Sequence, residues 1–106
     1  MAYVDYNPAA GFAERVCFAT GWHDDNAAAR DCSWAIIRGG GFTLMTAIST
    51  AYNVYRQLYQ DTYWRQPLIL RPGITLRFNV VGIAAGKFAN INIFTEQLAG
   101  DDTYGF

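Results

Sequence analysis

The chain is expected to fold as one all-β domain: a compact antiparallel β-sandwich or small barrel of jelly-roll type, with at most one helix. Three observations carry that expectation. Pro8, Gly11, Gly21, the three glycines at 39–41, Pro67, Pro72, Gly73, Gly82, Gly86 and Gly100 cut the chain into short segments. Their spacing is about the 8–12 residues between turns that sandwiches and barrels show. Within several segments apolar and polar residues alternate with a period of two, the signature of a half-buried strand. Aromatic residues make up 16% of the chain, and aromatic and β-branched side chains favour strands. No linker, repeat or low-complexity tract divides the 106 residues, so residues 1–106 form a single domain.

In chain order, residues 14–22 read as a strand with Val16 and Phe18 on one face. Residues 26–30 are a short helical candidate or a loop turn, with Asp24 or Asp25 as cap. Residues 33–38 carry Trp34 and Ile36 against Ala35 and Ile37, apolar on both faces as in a central strand. The segment 42–60 supports two readings. Its Thr, Tyr, Val and Ile content favours two strands, 42–50 and 52–59. At helical spacing, however, Leu44, Ile48, Ala51, Tyr55, Leu58 and Tyr59 form one stripe, so an α+β fold with a helix over 43–60 is the alternative. Leu68, Ile69 and Leu70 then lead into Pro72-Gly73, which fits the centre of a type II turn. The clearest strand is 74–80, where Ile74, Leu76, Phe78 and Val80 alternate with Thr75, Arg77 and Asn79. A last strand over 88–95 turns Ala89, Ile91 and Ile93 one way and Asn90 and Asn92 the other. Ile74, Leu76, Phe78, Ala89, Ile91 and Ile93 are the expected core.

Composition excludes several classes. Apolar residues are 52% and charged residues 16%, which excludes intrinsic disorder. The net charge of −1 lacks the basic footprint of a nucleic-acid binder. The first residues hold no signal peptide, and no apolar run approaches the roughly 20 residues of a membrane span. Cys17 and Cys32 read as reduced thiols, or as one bridge if their segments pair. Seven arginines stand against the single lysine, Lys87. Arginine is enriched at protein interfaces and lysine at free surfaces, so much of this surface is expected to be covered.

Catalytic and metal motifs are thin. The one histidine, His23, lies beside Asp24 and Asp25. Such a histidine can act as a base or ligate a metal, but the second histidine and the ligand spacing of a zinc site are missing. Asp24, Asp25 and Asp31 do not follow a calcium-loop pattern. The triple glycine at 39–41 fits neither phosphate-loop pattern, and no nucleophile elbow occurs. A polar loop is the simpler reading of residues 22–25. The expectation is a protein that is not an enzyme and uses no cofactor and no metal.

The most distinctive stretch is 52–66, which sets Tyr52, Tyr55, Tyr59, Tyr63 and Trp64 among Arg56, Arg65 and several Asn and Gln residues. Tyr, Trp and Arg dominate interface hot spots. The tail at 100–106 carries Asp101, Asp102, Tyr104 and Phe106 and would fray in a free domain. Tyr55, Arg56, Tyr59, Tyr63, Trp64, Arg65, Asp101, Asp102, Tyr104 and Phe106 are therefore the candidate protein interface, with the tail carboxylates as acceptors for arginine. The same aromatics with Asn and Gln also suit stacking on sugar rings.

The stretch Leu70-Arg-Pro-Gly-Ile-Thr-Leu-Arg-Phe78 resembles strand entries in small β-rich virion proteins of tailed phages, of the capsid cement or decoration type. That resemblance covers under a tenth of the chain. It implies a structural subunit without catalysis that binds copies of itself and a major capsid or other virion protein. Such a protein is made in the host cytoplasm and resides in the virion, with neither membrane nor nucleic acid as partner. A carbohydrate- or small-ligand-binding β domain is the alternative, and a small enzyme centred on His23 the third reading.

Overall fold

The fold, known from a computed structural model, is described for residues 2–9, 11–25, 30–39, 41–51, 56–60 and 68–98. Eight strands follow one another: β1 (Ala2–Tyr6), β2 (Ala13–His23), β3 (Arg30–Arg38), β4 (Phe42–Ala51), β5 (Arg56–Gln60), β6 (Leu68–Leu70), β7 (Ile74–Val81) and β8 (Ala89–Leu98). Among the described residues there is no helix. The segment 42–60 therefore takes the two-strand reading, and the helix over 43–60 is corrected. Its Thr and β-branched content outweighs a helical stripe that has no strong cap.

Among the described residues the strands form two antiparallel sheets and no closed barrel. The first sheet runs β1-β7-β3-β4. In the second, β8 pairs with β2 from Ala13 to His23 along one edge. On the other edge β6 pairs with Glu14, Arg15 and Val16, and β5 with Phe18 to Trp22, so β6 and β5 lie end to end. Among the described strands only β3 and β4 are both neighbours in sequence and partners in a sheet, and the Gly41 N–H between them donates to Arg38 O at 3.1 Å.

The core fills the space between the sheets. Cys32, Trp34, Ile36, Ile74, Leu76, Phe78 and Val80 come from the first sheet, and Val16, Ala19, Leu68 and Leu70 from the second. At its centre Phe78 and Trp34 stand opposite each other in register, with ring centroids 5.0 Å apart. The alternation on β7 is as the sequence reads: its even-numbered residues are buried and its odd-numbered ones are not.

Three expectations need correction. Val16 and Phe18 do not share a face. A bulge at Cys17 shifts the register against β8, so Val16 sits opposite Thr95 in the core while Phe18 sits opposite Phe94 outside. An extra residue in a strand inverts every side chain beyond it. Ala89, Ile91 and Ile93 face the core but are only half-buried, because β8 is at the edge of its sheet among the described strands. Phe88 precedes β8 and is exposed.

Pro72 and Gly73 do form a tight turn, with the Ile74 N–H donating to Arg71 O at 3.1 Å and Gly73 at φ +89°. That φ belongs to glycine and suits the third position of a type II turn. The turn carries the chain from β6 in one sheet to β7 in the other.

Candidate functional site

Only two members of the sequence-derived interface fall on described backbone. Arg56 and Tyr59 lie on β5, where the register sets Arg56 opposite Trp22 and Tyr59 opposite Ala19. Tyr55, Tyr63, Trp64, Arg65, Asp101, Asp102, Tyr104 and Phe106 lie outside the described residues.

A surface the sequence reading did not single out lies on the outer face of the second sheet. The bulge at Cys17 turns Phe18, Thr20 and Trp22 outward, where they meet Phe94, Asn92 and Asn90 of β8 in register. The row is extended at both ends. Arg15 pairs with Glu96 at 3.5 Å. At the other end the Asp24 N–H donates to Phe88 O at 3.3 Å, and the Phe88 N–H donates to Asp24 Oδ1 at 2.7 Å. The outer row, beginning one residue before β8, thus reads Phe88, Asn90, Asn92, Phe94, Glu96. Phe88 is 68% and Phe94 65% exposed. The signal for this row was present in the alternation of Asn and Phe with Ala and Ile over 88–94. The stretch at 52–66 is denser in aromatics and outweighs it in the sequence.

The outer face of the first sheet is different in kind. There Arg77 forms a bidentate pair with Asp5, Nε–Oδ1 2.7 Å and Nη2–Oδ2 2.9 Å, and its guanidinium lies 4.1 Å over the Tyr3 ring. Such an arrangement satisfies its own charges.

Each end of the sandwich is closed by a buried carboxylate. At one end Asp25 accepts from Arg30 Nε at 2.9 Å, Arg30 Nη2 at 2.8 Å and the Ala84 N–H at 2.9 Å. His23 beside it is the last residue of β2 and fully buried. Its Nδ1 accepts the Asp25 N–H at 3.2 Å, while Nε2 is buried with no partner among the described residues. Burial lowers the His23 pKa, the neighbouring Asp25 opposes this, and Arg30 adds to it. The neutral ring is thus the form the fold holds. The polar-loop reading of His23 and Asp25 is corrected: both are interior groups that stitch the β2–β3 connection to the segment after β7. Among the described residues no group of three or more His, Cys, Asp or Glu is placed to hold a metal ion.

At the opposite end Glu14 accepts from the Tyr6 hydroxyl, from the Ala9 N–H at 2.9 Å and from Thr95 Oγ1 at 2.7 Å. Burial alone would raise its pKa, but these three donors outweigh it and hold the carboxylate below its ordinary range. For Tyr6, burial and the Glu14 carboxylate raise the pKa. The two cysteines are free thiols on opposite sheets, Cys17 half-buried at the bulge and Cys32 in the core. Burial, with Asp31 adding, pushes the Cys32 thiol up to about 11.

No described helix is long and apolar enough to cross a membrane. Comparison with protein-family models, with curated proteins and with solved structures gave no match to this chain.

Proposed function

We propose that the chain is a non-enzymatic structural subunit that associates with copies of itself and with a larger protein shell, in its concrete form a capsid cement or decoration protein of a tailed phage. In that role it is made in the host cytoplasm and ends in the virion, bound to a major capsid or other virion protein. The observation that supports this most is the pair of exposed aromatic rings on the outer face along β8, Phe88 and Phe94, with the half-buried Phe18 opposite Phe94. Aromatic side chains are enriched where proteins meet. The low charge and the excess of arginine over lysine point the same way. The stretch 55–65 and the tail carboxylates Asp101 and Asp102 belong to this proposal as a second contact region.

Light scattering on the eluting full chain tests it: an oligomer is expected. Trp64→Ala or Tyr63→Ala should weaken assembly by about 2–4 kcal/mol while the domain stays folded. A monomer at all concentrations sinks the self-associating form. If Trp64→Ala unfolds the chain, that residue belongs to the monomer.

The second reading, a carbohydrate-binding β domain, is favoured by one observation: Asn90 and Asn92 stand between Phe88 and Phe94. Aromatic faces cover the apolar faces of sugars while amides bond their hydroxyls. Calorimetric titration with a panel of mono- and disaccharides separates the two, since saturable heat from a monomeric chain would favour the sugar reading.

A further inference from the structure

We propose that the open edge of β8 is where a second copy of this chain docks, the two strands pairing antiparallel about a twofold axis at Ile91. The proposal rests on the self-association reading above and names its partner and register.

The first support is the direction of the main chain. The Asp24 N–H bonds to Phe88 O, so Asp24 and Phe88 form a hydrogen-bonded pair. Bonded and non-bonded pairs alternate along an antiparallel ladder. With the register of β2 and β8, the N–H and C=O groups of Asn90, Asn92 and Phe94 turn toward β2. Those of Ala89, Ile91 and Ile93 turn toward the other edge, where no strand pairs with β8 among the described residues. The Ile91 N–H accordingly bonds to no strand but to the Asn90 side chain, at 2.9 Å to Oδ1. Pairing exchanges that local acceptor for the main-chain carbonyl of the second copy's Ile91.

The second support is what the edge lacks. Exposed edges are ordinarily guarded by lysine, proline, inward charges or bulges in the edge strand. From Ala89 to Thr95 the strand has no charged residue, no proline and no glycine, and the bulge opposite it lies in β2.

The third support is self-complementarity. A closed dimer needs one patch to match itself under a twofold rotation. About Ile91 the outer row reads the same in both directions: Phe88 meets Phe94 of the second copy, Asn90 meets Asn92, and each relation is repeated by symmetry. Aromatic–aromatic pairs across strands are favourable. The register also sets Ala89 against Ile93, so the residues with open main-chain groups bond to one another. At each end Lys87 of one copy comes to the Thr95–Glu96 end of the other, bringing opposite charges together.

Sedimentation velocity on the full chain tests this with Phe88→Lys, Phe94→Glu and their equimolar mixture, folding being checked by circular dichroism. Both substituted side chains are solvent-exposed in the single copy. The unmodified chain is expected to dimerise. Each variant alone should lose about tenfold or more in dimer affinity. The mixture should recover a heterodimer, because the introduced lysine of one faces the introduced glutamate of the other. A chain that stays monomeric to about 100 µM overturns both this proposal and the self-association reading. Association that both variants leave unchanged overturns the β8 edge and leaves that reading standing. Weakening in each variant without recovery in the mixture overturns the register. Amide exchange in the unmodified chain reads the same edge without any substitution. The Ala89, Ile91 and Ile93 amides should gain protection as association proceeds, and no gain in an associating sample overturns the proposal.

Discussion

Gly21 and Phe78 meet across the two sheets so closely that a Cβ on Gly21 would overlap the Phe78 ring. The glycine in the middle of β2 is thus the recess into which Phe78, the largest fully buried side chain among the described residues, fits. Gly21→Ala should cost about 1–3 kcal/mol by overpacking, and Phe78→Ala about 3–5 kcal/mol by leaving a cavity. Combining Gly21→Ala with Phe78→Leu should be less destabilising than the sum, since the second change removes the clash. Denaturant unfolding of the unmodified chain, Gly21→Ala, Phe78→Leu and the double variant measures the coupling; strict additivity would mean the two residues do not touch.

His23 should make stability fall on mild acidification. Burial depresses its folded-state pKa below the ordinary value, so the unfolded chain takes up the proton first. The stability this contributes is intact above about pH 6.5 and is lost as the pH falls from there toward the folded-state value. His23→Asn keeps an acceptor near the Asp25 N–H and removes the titration. Thermal unfolding across that window should then lose its slope.

Glu14 acts in a separate, more acidic window. Its folded-state pKa is lowered, so its contribution is present above the ordinary carboxylate pKa of about 4.3 and disappears as the pH falls below it. Glu14→Gln should cost about 2–3 kcal/mol at neutral pH, since an amide replaces an acceptor of charge-assisted bonds. The same change should flatten the acid limb of the stability profile.

The two thiols should separate under alkylation. Cys32 is in the core, with its thiol pushed up to about 11, and thiolate is the reactive form. With iodoacetamide at about pH 8, Cys17 should react first and Cys32 about tenfold or more slowly. Mass mapping of the labelled peptides reads the order. Rapid labelling of Cys32 in the folded chain would place it at the surface.

What the sequence made legible was what depends on neighbours. Strand β7 was visible because Ile74, Leu76, Phe78 and Val80 alternate without interruption, and the turn at Pro72-Gly73 because two residues suffice to make it. The face of β2 was not, because Val16, Cys17 and Phe18 are all apolar and no pattern marks which of them bulges. His23 and Asp25 read as a loop because the Ala84 N–H, one of the donors that make Asp25's burial tolerable, is a main-chain group remote in sequence, and no local pattern marks Arg30, five residues on, as the other. The half-burial of Ile91 and Ile93 follows from β8 being an edge strand, a property of strand order that local periodicity does not carry. Of the candidate interface, the row on β8 was written in the sequence but outweighed by the denser aromatics at 52–66.

The strand order has a consequence in time. Because β2 pairs with β5, β6 and β8 but with no sequence neighbour, its eleven residues leave the ribosome with both edges open. The last partner is complete only when Leu98 has been added. At roughly 5–20 residues per second, the central strand of the second sheet waits for several seconds with the edge that β8 will cover still open. The β3–β4 hairpin can close within that interval, and that edge of β2 cannot. A nascent chain of this design depends on crowding partners staying away from β2 until its own C-terminal strand arrives, so truncation before β8 should yield aggregate rather than a smaller domain.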